Sequence, residues 1–223
     1  MQFKSLELPL LNLCKEAENN SKSSPSIFFL HGFGSNMQDL FSLSSFFPKN
    51  WNCISLQASI PVQFNGWAWA EINFENILKI QNPKQIKYHN DKIINSIDLT
   101  IKKLDLNPSE IHLLGFSQGA GLSLYSGLTN PKKYKAIIAL SGCVSIKEFE
   151  SEIDKNNIKN LNIFMGNGKQ DDIITLPFAQ KTRDELFSLN IDLNYNEYDA
   201  GHTIANECLN DFLNWIKNLS KKF

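Results

Sequence analysis

The 223-residue sequence has no long apolar run, no marked excess of either charge and only four cysteines, and each shortage closes a class of function. No stretch of about 18 consecutive apolar residues occurs, so no segment reads as a membrane-spanning helix. The apolar patch from Leu6 to Cys14 is interrupted by Glu7, Pro9 and Asn12, too short and too polar for the core of a signal peptide. The small residues that precede a lipoprotein cysteine are missing before Cys14. The formal net charge is −1, which gives nucleic acid and anionic membrane surfaces nothing to grip. Only four cysteines are present, Cys14, Cys53, Cys143 and Cys208, far apart and without metal-ligand spacing, so they read as reduced thiols in a core. No internal repeat or low-complexity segment competes with a globular reading. The expectation is a soluble cytoplasmic protein without stable membrane insertion, metal or cofactor, with monomer and homodimer both open.

The composition is that of an ordinary globular chain, 42% hydrophobic and 20% charged, which excludes a fibrous or disordered one. The length suits a single domain over 1–223, in which 1–25 form an N-terminal strand or extension and a loop. Phenylalanine is frequent, with 16 copies, enough to fill core positions and still line an aromatic pocket.

One stretch organises the rest: the run Ile111 to Leu114 ends in Gly115-Phe116-Ser117-Gln118-Gly119. A β-branched and aliphatic run suits a strand buried on both faces, and Gly-x-Ser-x-Gly lets the chain reverse sharply into a helix with Ser117 on the bend. A Cβ at either glycine is expected to collide with the strand or the helix. A second turn of this kind follows the buried run Ile27 to Leu30, at His31-Gly32-Phe33-Gly34-Ser35-Asn36, where Ser35 or Asn36 can cap a helix over Met37–Phe46. Such turns present backbone N–H groups to an anion.

Further strands are expected at Cys53–Ala58, Ala136–Leu140, Leu161–Met165 and Leu193–Tyr198. Helices are expected at Asp91–Leu104, where Ile94, Ile97, Ile101 and Leu104 share a face, at Gln118–Leu128, from near Pro177 to Leu189, and at Ile204–Leu219. The aromatic stretch from Gly66 through Phe74 reads as a long loop, on which Trp67 and Trp69 are candidates for a pocket wall. Strands alternating with helices predict an α/β fold, a mostly parallel, doubly wound sheet with helices on both faces and reactive groups beyond the carboxyl ends of its strands.

Serine is a weak nucleophile at neutral pH and needs a base within hydrogen-bond reach, itself oriented by a carboxylate. Of four histidines, His112 lies in a strand, His31 in the glycine turn and His89 in a polar stretch, which leaves His202 on the loop after the last strand. Asp171 is the first candidate for the carboxylate, with Asp172 and Asp199 as alternatives. The negative oxygen formed by attack of Ser117 would be held by the backbone N–H groups of Phe33 and Gln118.

With these motifs in place, the sequence resembles the carboxylesterase, lysophospholipase and acyl-protein thioesterase group of α/β-hydrolases. The resemblance runs from about Ile27 to the C-terminal helix. It rests on Leu30-His31-Gly32-Phe33-Gly34 with Asp39, Gly66 to Trp69 with Glu71-Ile72, Gly115-Phe116-Ser117-Gln118-Gly119-Ala120, Gly168-Lys169-Gln170-Asp171-Asp172-Ile173-Ile174 and Gly201-His202-Thr203-Ile204. It implies an α/β-hydrolase fold without a large lid domain and a triad of Ser117, Asp171 and His202. It further implies oxyanion donors at Phe33 and Gln118, and Trp69 beside the acyl pocket. Two departures stand out: Asp172 and Thr175 occupy positions where the family usually has proline, and Ala70 follows the tryptophan where an aromatic is usual. The expected activity is hydrolysis of small acyl esters with short to medium chains through an acyl-enzyme. Thioesterase or lysophospholipase activity is an alternative, and a non-catalytic ligand receptor on the same scaffold is the reading from another class.

Overall fold

A computed structural model describes residues 3–22, 24–73 and 75–219 of the chain, so Phe74 of the aromatic stretch lies outside the described residues. Its centre is a seven-stranded sheet built from β1 (Asn12–Lys15), β2 (Ser26–Leu30), β3 (Asn52–Leu56), β6 (Ile111–Phe116), β7 (Ala136–Leu140), β8 (Asn162–Gly168) and β9 (Asp192–Tyr198). The spatial order is β1-β3-β2-β6-β7-β8-β9; β1 pairs antiparallel with β3 and every other neighbouring pair is parallel. Strands β2, β3 and β7 are buried along their whole length, as apolar runs without alternation require.

Helices α2 (Pro83–Leu104), α3 (Gln118–Thr129) and α4 (Leu176–Ser188) cover one face, with Ile93, Ile97, Leu124, Leu128 and Leu186 in its core. On the other face α1 (Met37–Phe41) and α5 (Asn206–Leu219) bury Leu40, Phe41, Phe212 and Ile216. Each such side chain taken fully out of water stabilises the fold by about 1.5–3 kcal/mol. After β2 the chain winds outward to β3 and then returns to lay β6 on the other side of β2. The carboxyl ends of β2 and β6 therefore flank a topological switch point, where an open α/β sheet leaves a crevice.

The glycines of the pentad meet the collisions expected of them. An ideal Cβ on Gly115 would stand 2.1 Å from the Gly119 carbonyl oxygen, and one on Gly119 would stand 2.1 Å from that of Leu30. Helix α3 thus lies against β2 and β6 at a distance that any side chain would forbid, although glycine in a helix interior costs about 1 kcal/mol against alanine.

Three expectations are corrected. The helix placed at Asp91–Leu104 begins at Pro83, because Asn82 caps it and proline suits the first helical turn; His89 is consequently a buried helix residue. The helix placed over Met37–Phe46 is α-helical only to Phe41 and continues as a 3-10 turn over Ser42–Ser45. There Ser42 and Ser45 turn their hydroxyls back onto the carbonyls of Asp39 and Ser42, competing with the regular ladder. The stretch read as a loop from Gly66 contains a strand, β5 (Gly66–Ala68), which pairs antiparallel with β4 (Ile60–Val62). Phe64 and Asn65 turn that hairpin with φ of 59° and 58°.

Candidate active site

Ser117 occupies the bend between β6 and α3 with φ 54° and ψ −116°, a conformation that costs a non-glycine residue free energy and is held by its surroundings. Its N–H donates to the Leu140 carbonyl on the neighbouring strand at 2.9 Å, which anchors the bend to β7. The side chain meets His202, whose Nε2 lies 3.0 Å from the Ser117 Oγ. On its other edge the imidazole places Nδ1 2.8 Å from Oδ2 of Asp171. The second oxygen of Asp171 accepts from the backbone N–H groups of Ile173 at 2.9 Å and Ile174 at 2.8 Å. Asp171 is buried and Asp172 exposed; Asp199 pairs with Lys169 at 3.1 Å. Of the three acids named from the sequence, Asp171 is therefore the one in contact with His202.

The other histidines are engaged elsewhere. His31 is buried, with Nδ1 2.8 Å from the Gly32 carbonyl and Nε2 accepting from the Ala58 N–H at 3.1 Å. His89 accepts from the Ser59 hydroxyl at 2.8 Å and places Nδ1 3.1 Å from the Gln85 carbonyl. His112 is fully buried against Trp51, with ring centroids 5.0 Å apart. Burial holds all three below the ordinary imidazole pKa, because each charged form would lose its hydration. Burial likewise pushes the Cys143 thiol up to about 12, with Asp171 adding to the shift.

The two glycine turns come together at the serine. A Cβ built on Gly32 would stand 3.4 Å from the Ser117 Cβ, so the backbone of the first turn packs directly against the second. Phe33 lies on that turn, and Gln118 supplies the first N–H of α3, where helix geometry offers no upstream carbonyl. The turn is braced by the hairpin: Gly34 N–H donates to the Trp67 carbonyl and Trp67 N–H to the Ser35 carbonyl, both at 2.9 Å.

Beside Ser117 opens a small cleft with a water-accessible volume of about 90 Å³. Its apolar walls come from Ile77, Leu78 and Ile80 on one side and Leu122, Val144 and Ile174 on the other. Neither Trp67 nor Trp69 is among its lining residues, which corrects the expectation of a tryptophan wall. Trp69 is fully buried instead. Its indole N–H donates to the His31 carbonyl at 2.8 Å and its ring packs on His31 and His89. An indole beneath the first glycine turn satisfies its only donor there, which is why it is turned inward.

Sequence reasoning missed the side chain of Gln118. Its Oε1 accepts from the Trp69 N–H at 2.9 Å and its Nε2 donates to the Ala70 carbonyl at 2.7 Å, stitching the start of the cleft wall to α3. Gln85 holds the next residue, accepting from the Glu71 N–H at 2.8 Å. The Ile77 to Ile80 wall was also missed, although its apolar residues between polar neighbours are visible in the chain.

A model of the phospholipase/carboxylesterase family matches residues 15–220. Among known proteins, the acyl-protein thioesterase 1 of Kluyveromyces lactis is 32% identical over 168 residues, covering 73% of this chain and 71% of that protein. The acyl-protein thioesterase 1 of Candida albicans is 27% identical over 222 residues, covering 92% and 96%. Among solved structures, a carboxylesterase from Mesorhizobium loti superposes with a TM-score of 0.84 at 18% identity, over 97% of this chain and 99% of that one. At that identity the likeness speaks for the α/β-hydrolase fold.

Proposed function

The chain belongs to the phospholipase/carboxylesterase family and is an ester-hydrolysing enzyme, and from that premise we propose that it cleaves short to medium acyl esters through an acyl-enzyme on Ser117. The observation that carries the proposal is the unbroken row from the Ser117 hydroxyl through the His202 ring to the Asp171 carboxylate. His202 takes the hydroxyl proton as Ser117 attacks the substrate carbonyl, and Asp171 fixes the ring in the tautomer that leaves Nε2 free to accept it. The oxygen that becomes negative is held by the backbone N–H groups of Phe33 and Gln118, each such donor contributing about 3 kcal/mol in the transition state. His202 then returns its proton to the departing alcohol or thiol. Water, activated by the same imidazole, releases the acid. The acyl chain occupies the apolar cleft, and every group the reaction needs is a side chain or main-chain donor of this chain.

Sulfur esters stand beside oxygen esters as substrates, because the Kluyveromyces lactis and Candida albicans relatives are named acyl-protein thioesterase 1. The retained row of contacts disfavours a receptor role, since binding alone would not need it. Four free thiols fit the reducing setting of the cytoplasm. An organophosphonate probe tests the reading. Mass added at Ser117 and lost in His202→Ala supports it, whereas an unlabelled serine in folded wild-type protein overturns it.

A further inference from the structure

Along α3 the cleft is lined by Ser117 at the helix cap and then by Gly121, Leu122 and Tyr125. Steps of four, one and three positions keep these residues on one side of the helix. Eight positions separate Ser117 from Tyr125, about 12 Å at 1.5 Å per residue, so the cleft runs lengthwise beside α3 from nucleophile to tyrosine.

The tyrosine end is closed by two contacts from the 3-10 turn Ile146–Glu152 that follows β7. The Tyr125 hydroxyl donates to Glu152 Oε2 at 2.6 Å, and its ring packs against Phe149 with centroids 4.9 Å apart. Glu152 is exposed while Tyr125 is only 4% exposed, so the hydroxyl is tied to a surface carboxylate and the ring stays inside.

We propose that Tyr125, held by Glu152 and Phe149, is the floor of the acyl site and sets the length of acyl chain it accepts, excluding a twelve-carbon chain and admitting a four-carbon one, which presupposes the acyl-enzyme route proposed above. A large side chain on a helix leans towards the N-terminal turn, so the ring takes the last part of the 12 Å run. Carbon–carbon bonds of about 1.5 Å advance an extended chain by roughly 1.25 Å each, so a twelve-carbon acyl chain, about 14 Å from end to end, exceeds the run even before the ring is counted, while a four-carbon chain stops about 4 Å along it. A longer chain must displace the ring and break both of its contacts. No other lining residue of α3 combines this size with a second anchor outside the helix.

The test is the ratio of kcat/KM for the twelve-carbon and four-carbon p-nitrophenyl esters, normalised to serine titrated by organophosphonate. In the wild type the twelve-carbon ester is expected to be about tenfold or more poorer than the four-carbon one. Tyr125→Leu, which removes the ring but keeps an apolar side chain, should raise the twelve-to-four ratio by about tenfold. Tyr125→Phe, which keeps the ring and loses the bond to Glu152, should raise it by about threefold. It decides the matter if the leucine variant yields no titratable serine. An unchanged ratio in whichever variant is decisive overturns the floor. Absence of both ester turnover and labelling in the wild type overturns the enzyme reading instead, so the two failures are distinct.

Discussion

Asp171 offers one carboxylate oxygen to the His202 ring at 2.8 Å while its other oxygen accepts two backbone N–H groups, those of Ile173 and Ile174. Those two donors hold the carboxylate in place before any substrate arrives. The chain turns just after Asp171, and the turn supplies them.

Exchanging the two adjacent acids separates their roles. Asp171→Asn keeps the shape but lets the amide favour the wrong imidazole tautomer, and kcat is expected to fall about 10⁴-fold. Asp172→Asn, at an exposed position, should stay within about threefold of wild type. Steady-state ester hydrolysis measures both, and the opposite ranking would move the acid to residue 172.

On the proposed acyl-enzyme route, replacing Ser117 or His202 should cost about 10⁶-fold in kcat, and the double variant about the same, since groups that act as one unit are not additive. The residual rate of Ser117→Ala with His202→Ala, compared with each single change, is the measurement. Additive losses would mean that the two side chains work separately.

The Gln118 side chain makes two hydrogen bonds to the wall of the cleft. At about 1 kcal/mol each, their loss in Gln118→Ala should lower kcat/KM by roughly 10- to 30-fold. Most of the loss should appear in KM, because the main-chain donor at this position is retained. An effect confined to kcat would show that the side chain acts on the reacting atoms and not on the wall.

Stability should fall on mild acidification. His31, His89 and His112 all sit below the ordinary imidazole value in the folded chain because burial disfavours their charged forms. As pH drops below about 6.5 the unfolded chain binds protons that the folded chain does not, so stability declines, by up to about 1.4 kcal/mol per pH unit for each histidine. The decline ends where the folded histidines themselves titrate. Denaturant unfolding at pH 8, 6 and 5 checks this, with His89→Gln flattening the slope. Equal stability at all three values would show that these rings are hydrated.

The element pattern was legible wherever a short-range rule governs. Ile27 to Leu30 and Ala136 to Leu140 are uninterrupted apolar runs, Ile111 to Phe116 is broken only by His112 and Gly115, and all three are central strands. The pentad around Ser117 marked its own strand-to-helix turn. The start of α2 was missed although Asn82-Pro83 carries a capping signal, because the apolar stripe was sought first and begins later. The β4–β5 hairpin escaped notice because Phe64 and Asn65 turn it in a conformation usually left to glycine or asparagine. Trp69, expected on a pocket wall from its place in an aromatic loop after a strand and from the family resemblance, instead sends its indole N–H to a carbonyl 38 residues away in sequence.

Read along the chain alone, the residues specify alternating strands and helices, two glycine turns and a short set of serine, histidine and acid candidates. These follow from side-chain size, period and backbone freedom, which act over a few neighbouring positions. Folding settled the rest: Asp171 over Asp172, the aliphatic wall of the cleft, the inward turn of Trp69 and the grip of Gln118 on residues 69 and 70. Each of these depends on which distant backbone donor or acceptor lies within about 3 Å, and only the winding of β6 back beside β2 brings those groups together.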